Sequence, residues 1–251
     1  MKPEKTEAIV LHTWPARERD KLVVFLTPGY GKRKGWAYGA RSLKSRFGAA
    51  LEPLSKVEVS FLEKESEEIV RIESVSLIRS LFPAQQDLAS SVAATYLAEM
   101  IDVFAQPDDP SELLYRLLDR VGDALLARVP VLPLLAYAEI WVLKVTGIVP
   151  STRVCIACDL PLERPLRYDD ERGGFVCPRC ASRSLPPIPN EIADVLDDLL
   201  RSPLEEFARR GHPDSAISEI RSFARALRRA FLGHELKSHD IVESVLIMTR
   251  R

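Results

Sequence analysis

The sequence predicts an α+β protein: an N-terminal OB-type β-barrel followed by an α-helical domain that carries an inserted four-cysteine zinc module. Three observations predict it. Five short apolar runs with strand-like alternation fall before residue 81. After Phe82-Pro83 the apolar residues recur at helical spacing. The chain's 4 cysteines form two pairs with identical two-residue gaps, Cys155/Cys158 and Cys177/Cys180. The expected division is a nucleic-acid-binding barrel over residues 1–80 and a helical domain over 81–251, with the metal module at 151–186.

In the barrel, Ala8–His12 and Leu22–Leu26 are runs rich in β-branched residues, and Pro28-Gly29-Tyr30-Gly31 marks a turn. Lys32–Ala40 alternates loosely. Val57, Val59 and Phe61 alternate with Glu58 and Ser60, and Ile69–Ile78 supplies the fifth run. An SH3-like barrel gives much the same pattern, so alternation alone does not separate the two.

In the helical part, Leu88, Val92, Tyr96, Met100 and Phe104 build one face. Asp109 is the candidate N-cap of the next helix, whose stripe is Leu113, Leu114, Leu117, Leu118, Val121 and Leu125. A third helix covers about Pro133–Thr146 and stops at Gly147. Four more are expected at Glu191–Leu200, Pro203–Arg210, Asp214–Leu232 and Ile241–Met248.

Two C-x2-C turns separated by an 18-residue insert are a strong metal signal, because each turn brings two thiolates to one ion. Arg167-Tyr168 and Phe175-Val176 are candidate ribbon strands, with Gly173-Gly174 at the return. Nothing at the N-terminus suggests export, which argues against disulfides. A thioredoxin-like pair lacks its βαβ context. Spacing does not separate an iron–sulfur centre from zinc, and zinc is favoured. Four thiolates leave no open coordination position, so the expected Zn2+ is structural.

The chain is nearly neutral, with a formal net charge of −1, but its charge is unevenly spread. Residues 1–80 carry 15 Lys/Arg against 11 Asp/Glu, and residues 81–150 carry 4 against 9. The run Gly29–Phe47 holds Lys32, Arg33, Lys34, Arg41, Lys44 and Arg46 with no acid, interleaved with Tyr30, Trp36, Tyr38 and Phe47. Cations that track phosphates beside rings that stack on bases are what single-strand binding requires. Trp36 and Tyr38 are either such rings or barrel core. Arg17, Arg19 and Lys21 are candidates to add charge to the same face, diluted there by Glu18 and Asp20. A second candidate basic face is the helical stripe Arg221, Arg225, Arg228 and Arg229, opposite Ile217, Ile220, Ala224, Leu227 and Phe231. The bland reading of that stripe is a solvated helix face.

Catalytic signatures are missing: there is no G-x-S-x-G, Walker loop, H-E-x-x-H or G-x-G-x-x-G, and the four histidines are scattered. The expectation is a binding protein, not an enzyme. Without a signal-type leader or an uninterrupted apolar span, it is expected in the cytoplasm.

Specific stretches then point to a family. Glu7-Ala-Ile-Val-Leu11, Glu18-Arg-Asp-Lys-Leu-Val-Val24 and Gly39-Ala-Arg-Ser-Leu-Lys-Ser-Arg-Phe-Gly48 with Leu51-Glu-Pro-Leu54 resemble the RecO family of bacterial DNA-repair proteins. So do Gly147-Ile-Val-Pro150, the two cysteine knuckles and Leu236-Lys-Ser238. The resemblance implies an OB-fold that binds single- and double-stranded DNA and anneals complementary strands. It implies work with RecR, and often RecF, in loading RecA onto strands coated by single-strand-binding protein, whose acidic tail docks on the helical domain. It carries DNA contact onto Arg41, Lys44 and Arg46. The reading from another class is a zinc-ribbon and OB adaptor in transcription or translation; a thiol oxidoreductase comes third.

Overall fold

The computed structural model describes residues 3–42, 45, 47–63 and 68–249, apart from the side chain of Ala49. By their contacts they form two units, Met1–Val131 with Leu236–Arg251, and Leu132–Glu235.

The first unit opens with five strands: β1 (Glu4–Ala16), β2 (Asp20–Thr27), β3 (Gly31–Ala37), β4 (Lys56–Leu62) and β5 (Ile69–Arg79). They close in the order β1-β2-β3-β5-β4, with β4 returning to β1. Every pairing is antiparallel except β3 with β5, where Trp36 lies opposite Arg71. This is an OB-like closed barrel. Alternation determines what lies inside: Val57, Val59 and Phe61 point inward with Val10, Val23, Phe25, Val70 and Ile72. The barrel leaves no room at Gly35, where an added Cβ would sit 2.7 Å from Cγ1 of Ile72. A 3-10 turn, Gly48–Leu51, follows β3, and Phe47, Ala50 and Leu51 join the same core.

Four helices complete this unit: α1 (Phe82–Gln85), α2 (Leu88–Phe104), α3 (Glu112–Leu126) and, much later in the chain, α8 (His239–Thr249). The side chain of Asp87 caps α2 by accepting the Ser90 amide at 2.8 Å. Ser111, not Asp109, occupies the N-cap position of α3. The buried side of α3 is Leu114, Leu118, Val121 and Leu125, which turns Leu113 outward, 61% exposed. Leu88, expected on the apolar face of α2, is likewise exposed. Segment Lys237-Ser238, just before α8, is held to α2 by Glu99. That carboxylate accepts the Lys237 amide at 2.8 Å, the Ser238 amide at 2.9 Å and the Ser238 hydroxyl.

Barrel and helices are joined by ion pairs. Lys56 lies 2.9 Å from Asp119 on α3 and 3.0 Å from Glu7 on β1, while Arg79 reaches Asp119 and Asp123. Burial opposes the Lys56 charge, yet the bonds to Asp119 and Glu7 hold its pKa above the usual range.

The second unit takes in α4 (Val131–Val145, from Leu132 onward), the cysteine module, α5 (Asn190–Arg201), α6 (Leu204–Arg209) and α7 (Asp214–Leu232). Helix α4 is apolar almost all round, as a central helix must be. Its polar groups find partners. Tyr137 donates to the Ser202 carbonyl at 3.1 Å and Trp141 to the Leu199 carbonyl at 3.2 Å. Glu139 accepts two bonds from Arg221 on α7, at 3.1 and 2.9 Å. Helix α7 stops at Gly233, whose φ of 76° suits a left-handed cap. No helix among the described residues is long and apolar enough to cross a membrane.

Candidate metal centre and nucleic-acid interface

The cysteine pairs converge. All four sulfurs lie within 4.8 Å of one another, and those of Cys158 and Cys177 are 3.8 Å apart. Four sulfurs at about 2.3 Å from a tetrahedral ion would be about 3.8 Å apart, so the set fits a metal. Each pair sits on a tight turn: the amides of Asp159 and Ala181 donate to the carbonyls of Cys155 and Cys177, both at 2.9 Å. Between the turns runs the expected ribbon, β6 (Arg167–Asp169) paired with β7 (Gly174–Val176). Of the two return glycines only Gly173 has positive φ, 65°. Gly174 is small for another reason: an added Cβ would lie 2.5 Å from Cδ1 of Ile156.

The sulfurs are chemically unequal. The Cys155 thiol is pushed down to about 6, first by the Cys177 amide that donates to it at 3.3 Å. The Cys180 thiol is pushed up to about 12, first by hydrogen bonding with Cys158 and then with Cys177. Negative charge cannot spread over four crowded sulfurs without a cation among them.

The basic run of the barrel divides in space. Lys32, Lys34 and Trp36 share the outward side of β3. Trp36 and Tyr38 lie outside the barrel core, Tyr38 40% exposed and Trp36 half-buried. Each ring has a guanidinium over it. Arg17, on the β1–β2 turn, stands 5.9 Å from the Trp36 centroid, and Arg71 of β5 stands 5.7 Å from that of Tyr38. Arg41 joins the same turn, its amide donating to the Arg19 carbonyl at 2.9 Å and Nη1 to the Arg17 carbonyl at 3.2 Å. Lys34 is exposed, with no ion pair among the described residues. Lys44 and Arg46 lie outside the described residues.

The expectation that these cations lack counter-ions fails for two of them. Lys32 pairs with Asp102 of α2 at 3.1 Å. Arg33 pairs with Glu63 at 2.8 Å and Asp108 at 2.6 Å. Those acids come from distant sequence, so the acid-free run gave no sign of them. Arg71, which also pairs with Glu73 at 2.7 Å, is a candidate that sequence reasoning missed. The parallel β3–β5 pairing puts it beside Trp36, and nothing local announces that pairing.

The arginine stripe of α7 is not one exposed face. Arg221 and Arg228 are buried, at 6% and 0% exposure, paired with Glu139 and Glu235. Arg225 and Arg229 are exposed, and Arg225 also reaches Glu235, at 2.8 Å. Phe231, expected inside, is 63% exposed. The turn between Arg221 and Arg228 brings both toward α4 and the segment after α7, where carboxylates wait for them.

Comparison with known proteins agrees with this anatomy. The family described as Recombination protein O N terminal matches residues 1–81, and Recombination protein O C terminal matches residues 85–240. A DNA repair protein RecO of Koribacter versatilis is 33% identical over 223 residues, covering 88% of this chain and 90% of the relative. That of Myxococcus xanthus is 32% identical over 244 residues, 95% of this chain and 96% of the relative. With both halves matched in order and relatives aligned nearly end to end, the chain belongs to the RecO family of DNA repair proteins.

Proposed function

We propose that the protein is a recombination mediator that binds single- and double-stranded DNA through its barrel, residues 1–80, and anneals complementary strands. The observation that carries the DNA contact is the outward cluster of Arg17, Lys34, Trp36, Tyr38, Arg41 and Arg71, two rings each beside a guanidinium. OB-folds take oligonucleotides on the face of strands 2 and 3 and on the adjoining loops, where this cluster lies. Lys44 and Arg46, which lie outside the described residues, are proposed as further phosphate contacts on their charge and on the family resemblance of the stretch Gly39–Gly48. Lys32, Arg33 and Arg71 contribute only as far as phosphate displaces Asp102, Glu63 and Asp108, and Glu73 beside Arg71. On α7 the exposed Arg225 and Arg229 remain as a second, smaller contact.

The mechanism is physical and needs no catalytic group. Cations neutralise the phosphates of two strands, lowering the repulsion that opposes their meeting, while the rings hold bases unpaired. The proposed partners are RecR, the tail of single-strand-binding protein, and through them RecA and RecF, in the nucleoid. The metal we assign to the cysteines is Zn2+, which when bound would supply coordination that holds the two turns together. Cys155, Cys158, Cys177 and Cys180 fill its sphere, which makes its role structural.

The test is charge reversal at exposed positions. Lys34→Glu with Arg41→Glu is expected to weaken single-strand binding at least tenfold at low salt. The slope of log affinity against log salt should shrink by about 0.7 for each phosphate that is no longer neutralised. Lys44→Glu with Arg46→Glu should act in the same direction. Strand annealing that survives all four changes would overturn the reading.

A further inference from the structure

Beside the cysteine ribbon lies a cavity of about 300 Å³ that neither DNA contact nor metal binding uses. Its floor is apolar and tightly packed: Leu166, Phe175, Ala193, Leu196 and Ile220. One side is a pair of half-buried rings, Tyr168 of β6 and Phe223 of α7, edge to face at 4.9 Å. Phe175 stands behind them at 5.3 and 6.0 Å. The strap Pro186-Pro187-Ile188-Pro189 also lines the cavity. Three of its four residues have no amide hydrogen, and the Ile188 amide already donates to the Leu166 carbonyl at 2.7 Å. That wall offers a ligand no hydrogen-bond donor.

The charges at the rim are carboxylates. Asp170, from the ribbon turn, and Glu219, from α7, line the opening, are exposed and make no ion pair among the described residues. The neighbouring Asp169, by contrast, is taken up by Arg172 at 2.7 Å and by the amides of Glu171 and Arg172. The Tyr168 hydroxyl is pushed above its usual range by burial first, then by Asp170 and Asp169, so it stays neutral. An apolar slot with two carboxylates at its edge, neither in an ion pair among the described residues, repels phosphates and acidic peptides. It attracts a group that is apolar at its tip and cationic beside it. A volume of this size takes one large side chain, which is how a buried anchor residue docks a peptide.

We propose that this groove docks a protein segment that inserts one large apolar side chain flanked by lysine or arginine. Such a partner differs in charge from an acidic tail and uses a surface separate from the barrel. The test is calorimetric titration of the full chain with two blocked peptides, Gly-Lys-Trp-Lys-Gly and Gly-Glu-Trp-Glu-Gly. The lysine peptide is expected to bind at least tenfold more tightly, and Asp170→Lys with Glu219→Lys to reverse that preference. Both positions are exposed, so the fold should tolerate the change; each single charge reversal, with an unchanged melting curve, serves as a second check. Equal affinity for the two peptides, or a preference that survives the reversal, overturns the proposal. So does an oligomeric state that changes with the substitutions, which would make a second copy the occupant. No DNA enters the titration, so its failure would leave the nucleic-acid reading standing.

Discussion

Replacing Arg221 with methionine is expected to destabilise the second unit by about 3–5 kcal/mol, with little change in DNA affinity. Its guanidinium holds Glu139 at 2.9 and 3.1 Å, and the two side chains are only 6% and 2% exposed. Removing one partner leaves a charge in the interior without its counter-charge. Replacing both, Glu139→Leu with Arg221→Met, is expected to restore most of the loss, because the desolvation cost of two ions disappears together. Denaturant unfolding of the wild type, both single variants and the double variant measures this. A single variant as stable as the wild type would show that the pair is not what holds α4 against α7. A large loss of salt-dependent DNA binding without loss of stability would return Arg221 to an exposed DNA-binding role.

Metal removal is expected to have a still larger effect, confined to the second unit. Cys177→Ser, or exposure to a strong chelator, should unfold the ribbon and loosen its packing on α7 through Tyr168, Phe175 and Phe223. Structural tetrathiolate zinc contributes on the order of 10 kcal/mol to small domains that depend on it. Hydrogen exchange should rise across residues 153–181 and along α7, while strands β1–β5 stay protected and single-strand binding at low salt persists. Elemental analysis should find one zinc per chain in the wild type. Unchanged exchange in the ribbon after metal removal would overturn the structural role.

The sequence revealed those features whose cause is local. Val57, Val59 and Phe61 announced a strand facing a core because side-chain direction alternates along the chain. The ribbon followed from the Gly173-Gly174 return between two short strand-like pairs, and α7 was expected over Asp214–Leu232, the bounds at which Pro213 and Gly233 cap it in the fold. What stayed hidden depends on contacts across long stretches of chain. The arginine stripe read as a surface because Glu139, which buries Arg221, is 82 residues away. Lys32 looked unpartnered because Asp102 is 70 residues off. Leu113 and Phe231 fit a helical stripe by spacing yet face outward, since periodicity gives the stripe's direction only to within a residue or so. Arg71 was invisible as a companion of the aromatic face because a parallel pairing between β3 and β5 leaves no mark in either strand alone.

The return of the chain to α2 has a consequence for biogenesis. The first unit is interrupted by the whole of the second: its barrel and α1–α3 precede residue 132, but α8 follows residue 235. As the chain leaves the ribosome, the barrel can close early. Glu99, however, waits for the Lys237 and Ser238 amides until the whole second unit has been made. A chain cut short before Leu236 would present α2 with the part of its apolar side that meets α8 bare and a half-buried carboxylate without these donors. Helix α8 thus works as a late seal on the first unit, and copies that lack it carry a visible defect for proteolysis to recognise.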